Sequence, residues 1–250
     1  MSHVLSHETD GVLQLTLDRP EKKNALTGDM YHALSDGLER ASATAAIRAV
    51  LLCGNGPAFS SGNDVNDFLS RGDADLQTTP SVRFIKALAR FDKPLVAAVQ
   101  GLAVGIGTTM LLHCDLVYAS ADARFSTPFS KLGLVPEAGS SLLLPRRIGD
   151  VRANAMLMLG EALDAENAVV AGLVNALFPA ETLVAQALDK ARALAALPAA
   201  ALLASKALIQ GDRTLLDARI VEELVAFGRA LRSDEAKAAF GAFLNRARAG

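Results

Sequence analysis

The sequence has no tryptophan, two tyrosines and ten phenylalanines, so aromatic residues make up only 5% of its 250 positions. Its core must therefore come mainly from Leu, Val and Ala, and the hydrophobic fraction of 51% is ample for a large one. Cysteine is scarce as well. Cys53 and Cys114 are far apart and each lies in an apolar run, which reads as two buried, reduced thiols. No CxxC or Cys/His cluster suggests a metal. Neither sign of charge dominates, with 25 Lys and Arg against 27 Asp and Glu. Without a basic stripe the chain lacks the phosphate-neutralising surface on which nucleic-acid binding depends. The 21% charged fraction argues against disorder. The segment "MSHVLSHETDG" has no basic region followed by an apolar one, and "NRARAG" is not a Ser-Lys-Leu address, so the expectation is a cytoplasmic protein.

One uncharged run, "PLVAAVQGLAVGIGTTMLLHC" from Pro94 to Cys114, has the length of a membrane span. Gln100, three glycines, two threonines and His113 interrupt it. It divides into a β-type piece, a glycine loop and a helical piece, so a buried strand-turn-helix is expected and no membrane.

Elsewhere the chain has strong local signals. Asp10-Gly11 between "VLSHET" and "VLQLTLDRP" predicts a hairpin. "TGDMYHALSDGLERA" sets Met30, Leu34, Leu38 and Ala41 on one helical face, with Thr27 as N-cap. "IRAVLLCG", "PLVAAV", "LVYAS" and "ARFST" read as strands, with helices at "SVRFIKALARF" and "TTMLLHCD" between them. Such alternation implies crossovers and a mainly parallel sheet. From about Asp150 onward, Ala-rich helical patterns take over, from "VRANAMLMLG" to "DEAKAAFGAFLNRARA", with Pro198 in a first turn and Ser233-Asp-Glu at an acidic N-terminus. The layout is an α/β core followed by a helical C-terminal part that packs with it.

Three stretches could carry chemistry. "FSSGNDVNDF", Phe59 to Phe68, is either a polar loop or a place where Ser60, Ser61 and Gly62 let a ligand approach the backbone, with the Asn63 amide as donor. "QGLAVGIGTTM" spaces Gly101, Gly105 and Gly107 as G-x-x-x-G-x-G, which is neither a dinucleotide fingerprint nor a phosphate loop. It serves close strand-helix packing, or it aims unpaired N–H groups at an anion or a developing oxyanion. In "LGLVPEAGSS", Glu137 is the only acid between Lys131 and Arg146. It is a solvated turn acid, or a buried carboxylate whose raised pKa suits a general base. Ser140 and Ser141 do not form a nucleophile elbow, and His113 reads as a core or interface residue.

Taken together, "LDRPEKKNAL" (17–26), "FSSGND" (59–64), "KPLVAAVQGLAVGIG" (93–107), "CDLVYASADARFSTP" (114–128), "LGLVPEAGSSLLLPRRIG" (132–149) and "SKALI" (205–209) resemble the crotonase, or enoyl-CoA hydratase/isomerase, superfamily, in order and over nearly the whole chain. The resemblance implies an α/β fold: a spiral of ββα units over 1–195, then a helical region over 196–250 that mediates trimerisation, often as a dimer of trimers. It implies an acyl-CoA substrate, with coenzyme A part of that substrate and no separate cofactor. The thioester oxygen would be held by the N–H groups of Asn63 and Ile106. Ser60, Ser61, Gly62, Asp64 and Gly105 would shape that hole, while Phe68, Leu132 and Pro136 would line the acyl pocket. Lys22 and Lys23 would meet the nucleotide phosphates, or lie as solvated surface, with Ala25 along the path.

The hydratase branch uses two glutamates. Their places are taken here by Thr109 and Phe129. "TPFSKLGLVPEAGSS" instead resembles the Δ3,Δ2-enoyl-CoA isomerase branch, in which one glutamate, here Glu137, moves one proton. The alternatives are another crotonase reaction, such as hydration or hydrolysis, and an acyl-CoA-binding protein without turnover.

Overall fold

The computed structural model describes residues 3–65 and 76–249. Phe68 lies outside the described residues.

The hairpin forms as its turn chemistry requires. Asp10 and Gly11 both take positive φ, 50° and 76°, and join β1 (Val4–Thr9) to β2 (Val12–Leu17) in antiparallel register. Helix α1 (Gly28–Ala43) follows, with the Thr27 hydroxyl accepting from Met30 N–H. Then come β3 (Ala49–Gly54), helix α2 (Pro80–Ala89) and β4 (Leu95–Val99). With β6 (Leu116–Ala119) and β9 (Ala176–Leu177) they form a six-stranded sheet in the order β1-β2-β3-β4-β6-β9, parallel after the first pair. A second sheet of three short strands, β5 (Leu102–Val104), β7 (Arg124–Ser126) and β8 (Leu163–Asp164), stands beside it.

Both faces of the large sheet are covered, and the period of two sorts the side chains. Leu13, Leu15, Val50, Leu52, Leu95 and Ala97 face the main core with Met30, Leu34 and Leu38 of α1. Val12, Leu51, Cys53, Val96 and Ala98 face the other way, against Leu183, Ala187, Ala191 and Ala195. Those last residues lie on helix α7 (Leu183–Ala196). All residues of β3 are buried, as expected of a central strand.

One stretch differs from the sequence expectation. "TTMLLHCD" is not one helix. A four-residue turn, α3 (Ile106–Thr109), passes into a 3-10 turn at Met110–His113, because the chain must turn extended at Cys114 to enter β6. The Thr108 hydroxyl anchors this turn by donating to Ala103 O at 2.6 Å and Ser126 O at 3.2 Å. Ser140–Ile148 forms helix α4 with Pro145 in its interior, where proline removes a donor from the helical ladder. The "VRANAMLMLG" pattern becomes helix α5 (Asp150–Asn154) and a π turn ending at Gly160.

After helix α6 (Ala165–Ala171) and α7, the C-terminal part consists of α8 (Ala199–Gln210), α9 (Thr214–Leu231) and α10 (Asp234–Ala249). Pro198 caps α8 rather than entering its first turn, and Ser233 Oγ accepts from Ala236 N–H at the start of α10. The "SKALI" lysine pins α8 to the sheet. Lys206 is buried and donates to Asp115 Oδ2 at 2.8 Å and Lys93 O at 2.7 Å, and its ammonium lies 5.6 Å from the Phe91 ring centre. A buried ion needs such partners, and truncating one leaves the other uncompensated. Lys206→Ala is expected to lower unfolding free energy by about 2–4 kcal/mol, read as a lower denaturant midpoint; an unchanged midpoint would show the pair to be dispensable.

Candidate active site

The site forms where the ends of the two sheets meet. Asn24 organises the first wall. Its side-chain amide donates to Asn55 O at 2.9 Å and Ala58 O at 2.8 Å, while its Oδ1 accepts from Arg19 N–H at 2.8 Å. Arg19 in turn pairs with Asp64 at 2.7 Å. This knot docks "LDRPEKKNAL" against "FSSGND". Leu26 N–H donates to Gly62 O at 2.8 Å, and Asp64 N–H to Leu26 O at 2.9 Å. In this parallel bridge Asn63 sits opposite Leu26, so its own N–H and carbonyl point to the other side of the chain.

The second wall is the Val104–Gly107 segment. Gly105 adopts φ 55°, ψ −120° and caps α3, a conformation that L side chains rarely adopt. Thr108 and Thr109 N–H both donate to Gly105 O at 2.9 Å. Ile106, at the first helical position, has no carbonyl behind it within the helix. Among the described residues no group accepts from Asn63 N–H or Ile106 N–H. The two segments touch closely: a side chain at Gly62 would meet Val104 O at 2.9 Å, and one at Gly107 would meet Ser60 O at 2.8 Å.

Both donors border a cavity of about 310 Å³, to which Lys22, Ala25, Ser61, Gly62, Asp64, Gly105 and Leu132 also contribute. Phe129, buried, and Phe227 and Phe240 of the C-terminal helices complete it. Beside it lies a smaller cavity of about 40 Å³ that shares Asn63 and Phe227 and is lined by Glu137 and Glu223. A larger groove of about 840 Å³ runs between α1 and α2, but it holds none of the candidate residues.

Three candidates lie elsewhere. Ser60 is fully buried, donating to Asn24 O at 2.9 Å and accepting from Gly62 N–H at 3.2 Å, so it ties the Asn24 and Gly62 segments together and does not line the cavity. Lys23 takes a left-handed turn position and uses its carbonyl to accept from Ser61 N–H; unlike Lys22, it does not line the cavity. Pro136 borders neither cavity. Asp64 lines the cavity, and its carboxylate pairs with Arg19.

Glu137 is partly buried. Burial pushes its carboxyl up from 4.5 to about 7; the charge of Glu223 adds to this, and a 2.7 Å hydrogen bond from the Thr109 hydroxyl opposes it. The Thr109 position thus supplies a donor to the acid. His113 is buried and held uncharged, at about 4, so its Nε2–H donates to Ala138 O at 2.8 Å. Sequence reasoning missed Glu223. Its signal is an acid on the buried stripe Ile220, Glu223, Leu224, Phe227 of α9, at i, i+3, i+4 and i+7. Among the described residues no cluster of His, Cys, Asp or Glu could hold a metal.

Two backbone donors on one cavity, with an acid of raised pKa in the smaller cavity beside it, are suited to stabilising an enolate while a proton moves. Comparison with known proteins agrees with that class. Residues 7–249 match the enoyl-CoA hydratase/isomerase family, and the chain belongs to that crotonase family. It is 40% identical to human enoyl-CoA delta isomerase 2 over 95% of this chain but only 62% of that protein's length. It is 36% identical to 1,2-epoxyphenylacetyl-CoA isomerase of Escherichia coli K12, over 98% of this chain and 96% of the relative. A 2,3-dehydroadipyl-CoA hydratase of the same strain is 34% identical over 98% and 97%. The crystal structure of an enoyl-CoA hydratase/isomerase from Pseudoalteromonas atlantica T6c superposes with a TM-score of 0.93 at 44% identity, covering 98% of both chains.

Because ionising Glu137 is harder in the folded state, its contribution to stability is fully present below about pH 4.5 and is lost as pH rises through about 7. The difference corresponds to ~3 kcal/mol. Glu137→Gln is therefore expected to gain stability relative to wild type between pH 5 and 8 in urea unfolding. Parallel curves across that window would show that Glu137 titrates as a solvated acid.

Proposed function

We propose that the chain is a Δ3,Δ2-enoyl-CoA isomerase that moves a double bond from position 3 to trans-2 of an acyl-CoA, feeding unsaturated fatty acids into β-oxidation. One observation carries this reading. Among the described residues three carboxylates line the two cavities: Asp64 is held by Arg19 and Glu223 by three donors, which leaves Glu137 to exchange a proton.

In this reading the thioester oxygen accepts hydrogen bonds from Asn63 N–H and Ile106 N–H. Glu137 removes a proton from carbon 2, and the electron pair passes into the carbonyl to give a dienolate whose charge collects on that oxygen. Two preorganised donors act at that moment, each worth several kcal/mol. Protonated Glu137 then delivers the proton to carbon 4, the double bond settles between carbons 2 and 3, and the carboxylate is regenerated. A base with its pKa near the working pH suits both halves of this exchange. Hydration needs a second group to activate water. Phe129 at one hydratase position is apolar, and Thr109 at the other is occupied with Glu137. The exposed Lys22 at the cavity mouth supports an anionic CoA portion entering there. A homotrimer or dimer of trimers is supported by the exposed apolar side chains Val151, Met158, Leu159 and Val170, and by Leu208 and Ile209 on α8.

The test is conjugation absorbance with 3-hexenoyl-CoA, set beside hydration of crotonyl-CoA. Wild type is expected to isomerise and to hydrate far more slowly, and Glu137→Gln to lose at least about 100-fold in kcat. Near-wild-type turnover by Glu137→Gln, or crotonyl-CoA hydration as the faster reaction, would contradict the assignment.

A further inference from the structure

Helix α9 carries a carboxylate on its buried stripe, with Glu223 only 6% exposed. A buried acid persists only where donors replace its water. Here Gly139 N–H reaches Oε2 at 2.6 Å, while Ser141 N–H at 2.8 Å and Ser141 Oγ at 2.6 Å reach Oε1. Arg219, one turn earlier, donates to Ser141 Oγ at 3.2 Å and pairs with Glu222 at 2.9 Å. Gly139 is the N-cap of α4 and Ser141 its second residue. Glu223 therefore caps α4 from another helix, satisfying donors that have no partner within α4.

The capped segment begins directly after Glu137. Ala138 and Gly139 are left-handed in succession, φ 59° and 72°. For an alanine this costs about 1 kcal/mol or more and lasts only where the surroundings impose it. Two groups impose it: His113 holds Ala138 O, and Glu223 holds Gly139 N–H. Glu137 precedes this clamped step, and its carboxylate accepts from Thr109.

We propose that Glu223 is a positioning residue for the Glu137 base: its grip on Gly139 and Ser141 fixes where the Glu137 carboxylate points, and its negative charge strengthens Glu137 as a proton acceptor. The inference rests on the reading of Glu137 as the base. Glu223 itself does not exchange a proton with substrate, since both oxygens are engaged by donors. Burial leaves its pKa above the usual carboxylate value, although the bonds from Ser141 and Gly139 and the charge of Arg219 oppose the rise, and its charge is one of the causes that raise Glu137. Among the described residues, the other charged or titratable groups around the pair include Arg219 and Glu222 on α9, His113 on the 3-10 turn and Arg147 on α4. His113 is uncharged, and Arg147 donates to Leu112 O at 3.2 Å.

The test compares wild type, Glu223→Gln, Glu223→Asp and Ser141→Ala in the full chain. Two readouts are used: pH profiles with 3-hexenoyl-CoA, and carbon-13 NMR titration of labelled glutamate carboxyls, with Glu137→Gln identifying the Glu137 signal. Glu223→Gln is expected to lose about 10–100-fold in kcat while KM changes less than about threefold. Its acid limb and the Glu137 NMR midpoint should both fall by about half a pH unit or more. Glu223→Asp, which keeps the charge on a shorter stem, should return the midpoint to the wild-type value but not kcat. A folded Glu223→Gln with wild-type kcat and an unmoved midpoint overturns the proposal. If Glu223→Gln does not fold, Ser141→Ala decides: a severalfold kcat loss at constant KM supports positioning, and wild-type kcat overturns it. The NMR midpoint needs no substrate. A wild-type protein inactive on 3-enoyl-CoA therefore contradicts the functional reading alone, and the titration still decides the role of Glu223.

Discussion

Two backbone hydrogen bonds, Ser60 N–H to Leu102 O at 3.0 Å and Val104 N–H to Ser60 O at 2.9 Å, tie the segment that follows β3 to the segment that follows β4. They form a bridge of a single residue pair, Ser60 with Ala103. Because this bridge is fixed, Asn63 and Ile106 line the same cavity, each with an N–H that nothing else among the described residues takes up. The glycines around it follow from the same constraint. Gly62 and Gly107 have no room for a side chain, whereas Gly105 has room and needs its glycine for the backbone angle. Leaving backbone donors unpaired in a buried site costs stability, and the Arg19–Asn24–Asp64 knot holds the arrangement from behind.

The opposite wall is held by side chains. Thr109, His113 and Glu223 come from three separate elements and grip the five residues Glu137 to Ser141. The result is an acid in an apolar setting, poised near neutrality, with a neutral histidine behind it. The C-terminal helices also contribute to the site, since α9 supplies Glu223 and Phe227 and α10 supplies Phe240.

Much of this was legible in the sequence. Asp10-Gly11 located the hairpin because positive φ at both positions leaves few other turns. The faces of α1 and of the sheet strands could be read because burial on one side imposes a period. Glu137 could be singled out because an apolar run isolates it. Its burial could not be read, because it depends on α9, whose first residue, Thr214, lies some 77 positions downstream. Thr109 could be read only as an absent acid, since its donor role needs the 2.7 Å approach that the fold creates. Ser60 and Pro136 were placed at the ligand by motif membership, yet the first is buried behind the cavity wall against Asn24 O and the second borders neither cavity.

In the proposed reaction one carboxylate, Glu137, carries one proton between two carbons. This transfer is tested most directly by turning over 3-hexenoyl-CoA deuterated at carbon 2 in ordinary water and locating the label in the trans-2 product. A substantial part of the deuterium is expected at carbon 4, delivered by the same Glu137 that removed it. Product with only solvent hydrogen at carbon 4, even at the earliest conversion, would contradict it.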